Sequence, residues 1–170
     1  FAFRPVSALR QVFQKLLFDR FWLSFLLLFV GLGLVKASSL IPHGRFWAEE
    51  GADFFASICR MGPSNGVLFL FNNHLQLWTN LGVYLATAFP LSIAPLVTNT
   101  YAILVQAIPL IVLAAKRRDL GLGNPSVFII TLVYFGMPQA AEVWANTINL
   151  HFHFLILAGL VLALPKAGKR

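Results

Sequence analysis

The sequence predicts an all-α membrane protein with about four transmembrane helices, and three observations lead to that prediction. Hydrophobic residues make up 58% of the 170 residues and charged residues only 11%. The mean hydropathy of +0.76 is far above that of soluble domains. Alternating strand patterns are nearly absent, and backbone polar groups in lipid must be satisfied within a segment, so the long apolar runs favour helices.

The N-terminal part predicts two helices joined end to end. Residues 1–20 mix arginine and lysine with apolar side chains, a pattern typical of an amphipathic helix on the anionic cytoplasmic face of a membrane. Residues 21–41 are long enough to cross roughly 30 Å of hydrocarbon, with Lys36 snorkelling at the far end. Residues 42–96 then predict an outer loop that carries interfacial helices.

Three further apolar segments complete the predicted bundle, at residues 97–115, 126–140 and 141–164. After its polar start, the first of them is interrupted only by Gln106 and Pro109. Residues 97–115 and 141–164 have about the length that a membrane-spanning helix requires.

The segment 75–89 decides the topology, because it is either a short span or a helix lying along the interface. If it spans, the basic residues within 116–118 and 166–170 fall outside; if it lies on the surface, they fall inside. The positive-inside rule favours the second arrangement and a cytoplasmic N-terminus. The net charge of +7 is then explained by basic residues that face anionic cytoplasmic lipid, and no nucleic-acid partner is needed to explain it.

Three of the six carboxylates crowd into one short stretch, as Glu49, Glu50 and Asp53. In a helix, Asp53 shares a face with both glutamates, and such crowding raises the pKa of at least one carboxyl. That suits a general base or a divalent cation site for Mg²⁺ or Mn²⁺, although an acidic turn at a helix N-terminus explains the pattern equally well. Arg45 beside them is suited either to a phosphate oxyanion or to pairing with the acids.

A second polar cluster lies in the last apolar segment. Glu142, Asn146, Asn149 and His153 are spaced i, i+4, i+7 and i+11, which places them on one face of a predicted helix. They predict either a polar substrate-binding cavity or hydrogen bonds that join helices. His151 points away from that face and is interpreted as interfacial. The favoured topology puts both clusters on the outer side.

Two segments carry a family resemblance: RFWAEEGADFFASI at 45–58 and EVWANTINLHFHFLIL at 142–157. They resemble segments of bacterial membrane proteins of the GT-C glycosyltransferase type, and the layout of the chain is similar to the N-terminal module of those enzymes. The resemblance implies a multi-pass protein of the bacterial inner membrane. Because GT-C enzymes have further spans, it also implies that this chain is part of a longer one.

The resemblance further implies an activity and roles for the candidate residues. A sugar would pass from a polyprenyl-phosphate donor to an acceptor at the outer face of the membrane. Glu49 or Glu50 would be the catalytic acidic residue and would act as a base or as a metal ligand. Asn146, Asn149 and His153 would bind the sugar or the phosphate.

Two other functions compete with this interpretation. In a transporter, the outer acids would bind a cation and the polar stripe would line a pathway. The sequence has no polar residue between Phe154 and Leu164, which disfavours a path through the bundle. The second alternative is a non-catalytic membrane subunit of a surface-polysaccharide assembly system.

Overall fold

The fold is known from a computed structural model that describes residues 19–38, 44–136 and 144–165. These residues are mostly helical, which confirms the all-α class. The elements in chain order are α1 (Arg20–Lys36), a π-helical turn (Glu50–Phe55), α2 (Ala56–Met61), α3 (Pro63–Gly66), β1 (Leu70–Phe71), β2 (His74–Leu75), α4 (Leu77–Ala86), α5 (Ala94–Lys116), α6 (Asn124–Gly136) and α7 (Leu150–Ala163). Most of the predicted amphipathic helix at 1–20 lies outside the described residues, as does Glu142.

Helix α5 is long and apolar enough to cross a membrane, and it alone meets that test among the residues described. Its bounds, Ala94–Lys116, extend the predicted segment 97–115 at both ends. Pro95 fits the first turn, where a helix needs no amide donor. Helices α6 and α7 are also apolar but shorter.

Helix α7 begins later than predicted. It starts at Leu150 and not near residue 141, because 144–149 form turns in which Ala145 has a φ of +55°. The prediction that Asn146 and Asn149 lie on one helical face with His153 is therefore wrong. Their spacing is helical, but other parts of the chain hold the backbone of this segment in another conformation.

The helices pack in pairs around one main apolar cluster. Helix α1 packs on α6, and α5 packs on α4 and α7. The buried members of the cluster are Phe21, Phe25, Leu110, Leu113, Ala114, Val127, Tyr134, Phe135 and Trp144. The outer faces are apolar too: Leu27 is 65% exposed, Ile129 60% and Leu162 85%. Helices that are apolar on all faces are typical of the core of a large protein or of a membrane span.

One end of the bundle, here called the basic end, is closed by Arg117. Its Nε donates to Asn124 Oδ1 at 2.9 Å and its Nη1 to the carbonyl of Ala114 at 2.8 Å. The guanidinium also lies 3.7 Å from the ring centre of Phe21. The start of α1, the end of α5 and the start of α6 therefore meet here.

The opposite end, here called the polar end, contains residues 44–96 and 144–149. Helix α4 has 10 residues and so rises about 15 Å, half the thickness of the hydrocarbon core. The strands β1 and β2 form a hairpin whose two turn residues, Asn72 and Asn73, both have positive φ, as a type I′ turn requires. An added Cβ at Gly82 would lie 2.5 Å from Tyr101 Cδ1, so only glycine lets α4 approach α5 this closely.

Candidate active site at the polar end

The carboxylate of Glu50 is the centre of the polar end. It is fully buried in the π-helical turn, a type of helical irregularity that is frequent at functional sites. Its Oε1 accepts hydrogen bonds from the amide of Thr147 at 2.6 Å and from the Thr147 hydroxyl at 2.5 Å. Its Oε2 accepts from the amide of Trp47 at 2.8 Å. Glu50 thus joins the acidic segment to the second polar segment.

The electrostatics of Glu50 are set by two opposing effects. Burial raises the pKa of its carboxyl above the ordinary value of 4.5, because desolvation disfavours the charged form. The hydrogen bonds from Thr147 and Trp47 favour the carboxylate and offset part of that rise. The three donors that bond to this carboxylate are the amides of Trp47 and Thr147 and the hydroxyl of Thr147.

Side chains from α4 and α5 bond to further backbone groups of the 144–149 segment. Asn99 donates to the carbonyl of Ala145 at 2.7 Å, and Gln106 accepts from the amide of Ala145 at 3.1 Å. The hydroxyl of Thr79 donates to the carbonyl of Thr147 at 2.9 Å. Backbone groups outside regular helices require such partners when they are buried.

The other predicted acids have different surroundings. Glu49 is exposed, and it makes no hydrogen bond or ion pair within the described ranges. Asp53 is half-buried in the same turn. Arg45 is exposed, with its guanidinium 4.8 Å from the ring centre of Trp47, and its backbone is bonded to the Asn99 amide. The two adjacent glutamates are therefore clearly distinguished by burial.

The described residues of the second cluster have different surroundings. Asn146 is buried, and its Oδ1 accepts from the amide of Asn149 at 3.0 Å within the turn. His153 is buried between the rings of Tyr134 and Trp144, and its Nδ1 bonds with the Tyr134 hydroxyl. His153 therefore joins helices, which matches the alternative in which the polar stripe holds the bundle together.

No metal centre is found in the described part of the chain, where no three histidine, cysteine or acidic side chains are grouped to hold an ion. The Glu50 carboxylate accepts three hydrogen bonds from the protein. The described residues therefore do not gather a set of ligands for the predicted Mg²⁺ or Mn²⁺, and the reaction proposed for this chain uses no metal.

A cleft of about 400 Å³ lies beside this site, between residues 74–79 and 147–151. Its lining combines polar with apolar side chains. The lining residues are His74, Leu75, Gln76, Leu77, Trp78, Thr79, Thr147, Ile148, Leu150 and His151. Thr147, which Glu50 holds from the other side, forms part of its wall.

Four residues that organise the polar end were not predicted as site residues: Thr79, Asn99, Gln106 and Thr147. A signal for three of them exists in the sequence, since each interrupts an otherwise apolar segment, and polar groups in such segments are costly unless paired. Their partners cannot be assigned from spacing, because the bonds join residues 39 to 97 positions apart.

No protein-family model matches the chain, and neither a curated protein nor a solved structure matches it. Its function must therefore be inferred from this site.

Proposed function

We propose that the chain is part of a membrane glycosyltransferase of the GT-C type, with Glu49 as the general base. The observation that carries the proposal is the contrast between two adjacent glutamates. Glu50 is buried and committed to Thr147, whereas Glu49 stands exposed at the same end. Two neighbouring carboxyls can take different roles when their environments differ.

A membrane location is supported by the apolar outer surface of the bundle. Helix α5 has the length and composition of a span, and α1, α6 and α7 expose large apolar side chains on their outer faces. Described residues at the basic end include Arg20, Lys116 and Arg118, as expected of a cytoplasmic end. In this proposal the polar end faces outward.

The proposed reaction requires little more than a base and charge stabilisation. Glu49 takes the proton of an acceptor hydroxyl, and the oxygen attacks the anomeric carbon of the donor sugar. The bond from that carbon to the phosphate oxygen breaks, and polyprenyl phosphate leaves with the electron pair. Arg45, exposed beside the acids, is suited to binding the phosphate.

The test is sugar transfer by the full-length protein in lipid nanodiscs, from a panel of polyprenyl-phosphate sugars. The variant Glu49→Gln should stay folded and lose about 10²- to 10⁴-fold in transfer rate, the range for removal of a general base. Asp119→Asn, a surface change at the basic end, is the matched control and should transfer normally.

Two outcomes would reject the proposal. One is a folded Glu49→Gln protein that transfers sugar at the wild-type rate. The other is a wild-type protein that transfers no sugar from any donor in the panel, which would favour a transporter or a non-catalytic assembly subunit.

A further inference from the structure

We propose that the 400 Å³ cleft between residues 74–79 and 147–151 binds the sugar ring of the acceptor. This inference rests on the proposed glycosyltransferase function and adds the location and chemistry of one substrate. Ligand sites are typically concave and mostly apolar, with a few polar groups that fix orientation. The cleft has that composition, with polar groups from His151, Gln76 and Thr79 at its wall.

His151 supplies a hydrogen-bond acceptor. Its Nδ1 lies 3.1 Å from the carbonyl oxygen of Ile148. A carbonyl can only accept, so Nδ1 carries the proton and Nε2 of the neutral ring has a free lone pair. His151 is exposed, so Nε2 is available to a hydroxyl of a ligand in the cleft.

Gln76 and Thr79 supply a second polar pair. The Thr79 hydroxyl lies 2.9 Å from the carbonyl of Thr147 and 3.2 Å from the Gln76 side-chain oxygen. Both of these oxygens are acceptors for the Thr79 hydroxyl. Because the Gln76 oxygen faces Thr79, the Gln76 NH₂ group is left to donate to a ligand.

Trp78 supplies the apolar surface that a sugar ring requires. One face of its ring stacks on Phe154 with a centroid distance of 4.7 Å and an interplanar angle of 26°. The residue is nevertheless 44% exposed, so part of the ring remains open beside the cleft. Sugar rings pack their C–H faces on such aromatic surfaces while their hydroxyls bond to polar neighbours.

The cleft is also held in shape by the acidic segment. Thr147 lines it, and both the amide and the hydroxyl of Thr147 bond to Glu50. Glu50 is therefore a positioning residue for the acceptor, while the adjacent Glu49 is the proposed base. Glu50 thus supports binding of the acceptor, and Glu49 removes its proton.

Binding is tested without transfer, using the full-length protein in nanodiscs that contain no donor lipid. The probes are methyl glycosides of glucose, galactose, mannose and N-acetylglucosamine, observed by saturation-transfer NMR. At least one should bind, and Trp78→Ala should weaken that binding by at least about tenfold, with a smaller loss for His151→Ala. Trp78→Phe should restore part of the binding. Phe89→Ala is the control, because Phe89 is 49% exposed and does not line the cleft.

The outcomes separate this inference from the proposed function. If no glycoside binds, or if folded Trp78→Ala and His151→Ala proteins bind as well as wild type, the cleft is not the acceptor site, whatever Glu49→Gln does to transfer. If the Trp78 and His151 variants lose binding while Glu49→Gln retains it, the inference stands. Binding only of a donor lipid added to the nanodiscs, and of no soluble glycoside, would assign the cleft to the donor and overturn the inference.

Discussion

Each end of the bundle is organised by one buried ionisable side chain, and the two differ in what they hold. At the basic end, Arg117 joins the termini of three helices through Asn124, the Ala114 carbonyl and the Phe21 ring. At the polar end, Glu50 holds turn residues, and burial raises the pKa of its carboxyl.

This difference distinguishes a residue that holds helix ends together from a residue of the candidate active site. The Arg117 guanidinium bonds to the ends of helices and lies on an aromatic ring, so its contacts serve the packing of the helices. The Glu50 carboxyl has its pKa raised by burial, a property that occurs more often at functional sites. Three pairs of measurements would sharpen or break this contrast, from the largest expected effect to the smallest.

Removing the Glu50 carboxylate should have the largest effect on stability. Glu50→Ala leaves the buried amides of Thr147 and Trp47 without acceptors, which costs about 3–5 kcal/mol in the free energy of unfolding. Glu49→Ala, at the exposed neighbouring position, should change stability within about 0.5 kcal/mol. Unfolding in mixed micelles of increasing SDS content measures both. Equal losses for the two variants would remove the distinction on which the proposed function depends.

Replacing the Arg117 guanidinium at the basic end should have a smaller effect on stability. Arg117→Lys cannot keep the bonds to both Asn124 and the Ala114 carbonyl, and it weakens the contact with Phe21, so the protein should lose about 1–2 kcal/mol. Arg118→Lys, exposed and adjacent, is the control and should be neutral. The same unfolding assay applies, and a neutral Arg117→Lys would show that this end is held by apolar packing alone.

The polar end should give stability a pH dependence through Glu50. The folded state raises the pKa of Glu50, so between 4.5 and that raised pKa the folded protein binds the proton more tightly than the unfolded chain does. Stability should therefore fall as pH rises through this window, by at most about 1.4 kcal/mol per pH unit. Comparing wild type with Glu50→Gln by thermal unfolding should show this slope only in wild type. An identical slope in both would assign it to another group.

The parts of the fold that could be predicted are those set by local composition. The apolar run that forms α5, and its end at a basic triplet, follow from sequence alone. The turn at 144–149 does not, because its conformation depends on Glu50, Thr79, Asn99 and Gln106, which are far away in the chain. A helical spacing of polar residues was a misleading signal there. Hydrogen bonds to the backbone outweighed it.

The choice between the two glutamates also lay beyond the sequence. Glu49 and Glu50 are chemically identical neighbours, and only the π-helical turn determines which one faces the interior. The favoured topology, by contrast, predicted that the acidic and polar segments share one side, and in the structure the Thr147 amide bonds to the Glu50 carboxylate. The clustering of acidic residues in the sequence indicated where the candidate site lies, and the packing of the structure distinguishes Glu49 from Glu50.

The distance along the chain between Glu50 and its partner imposes an order on biogenesis. Thr147 is 97 residues later. At about 5–20 residues per second of synthesis, Glu50 is made roughly 5–20 s before the threonine that will bind it. During that interval its carboxyl must be hydrated at the surface or carry a proton. Glu50 therefore obtains its buried hydrogen bonds only after α5, α6 and the turn that contains Thr147 have been made.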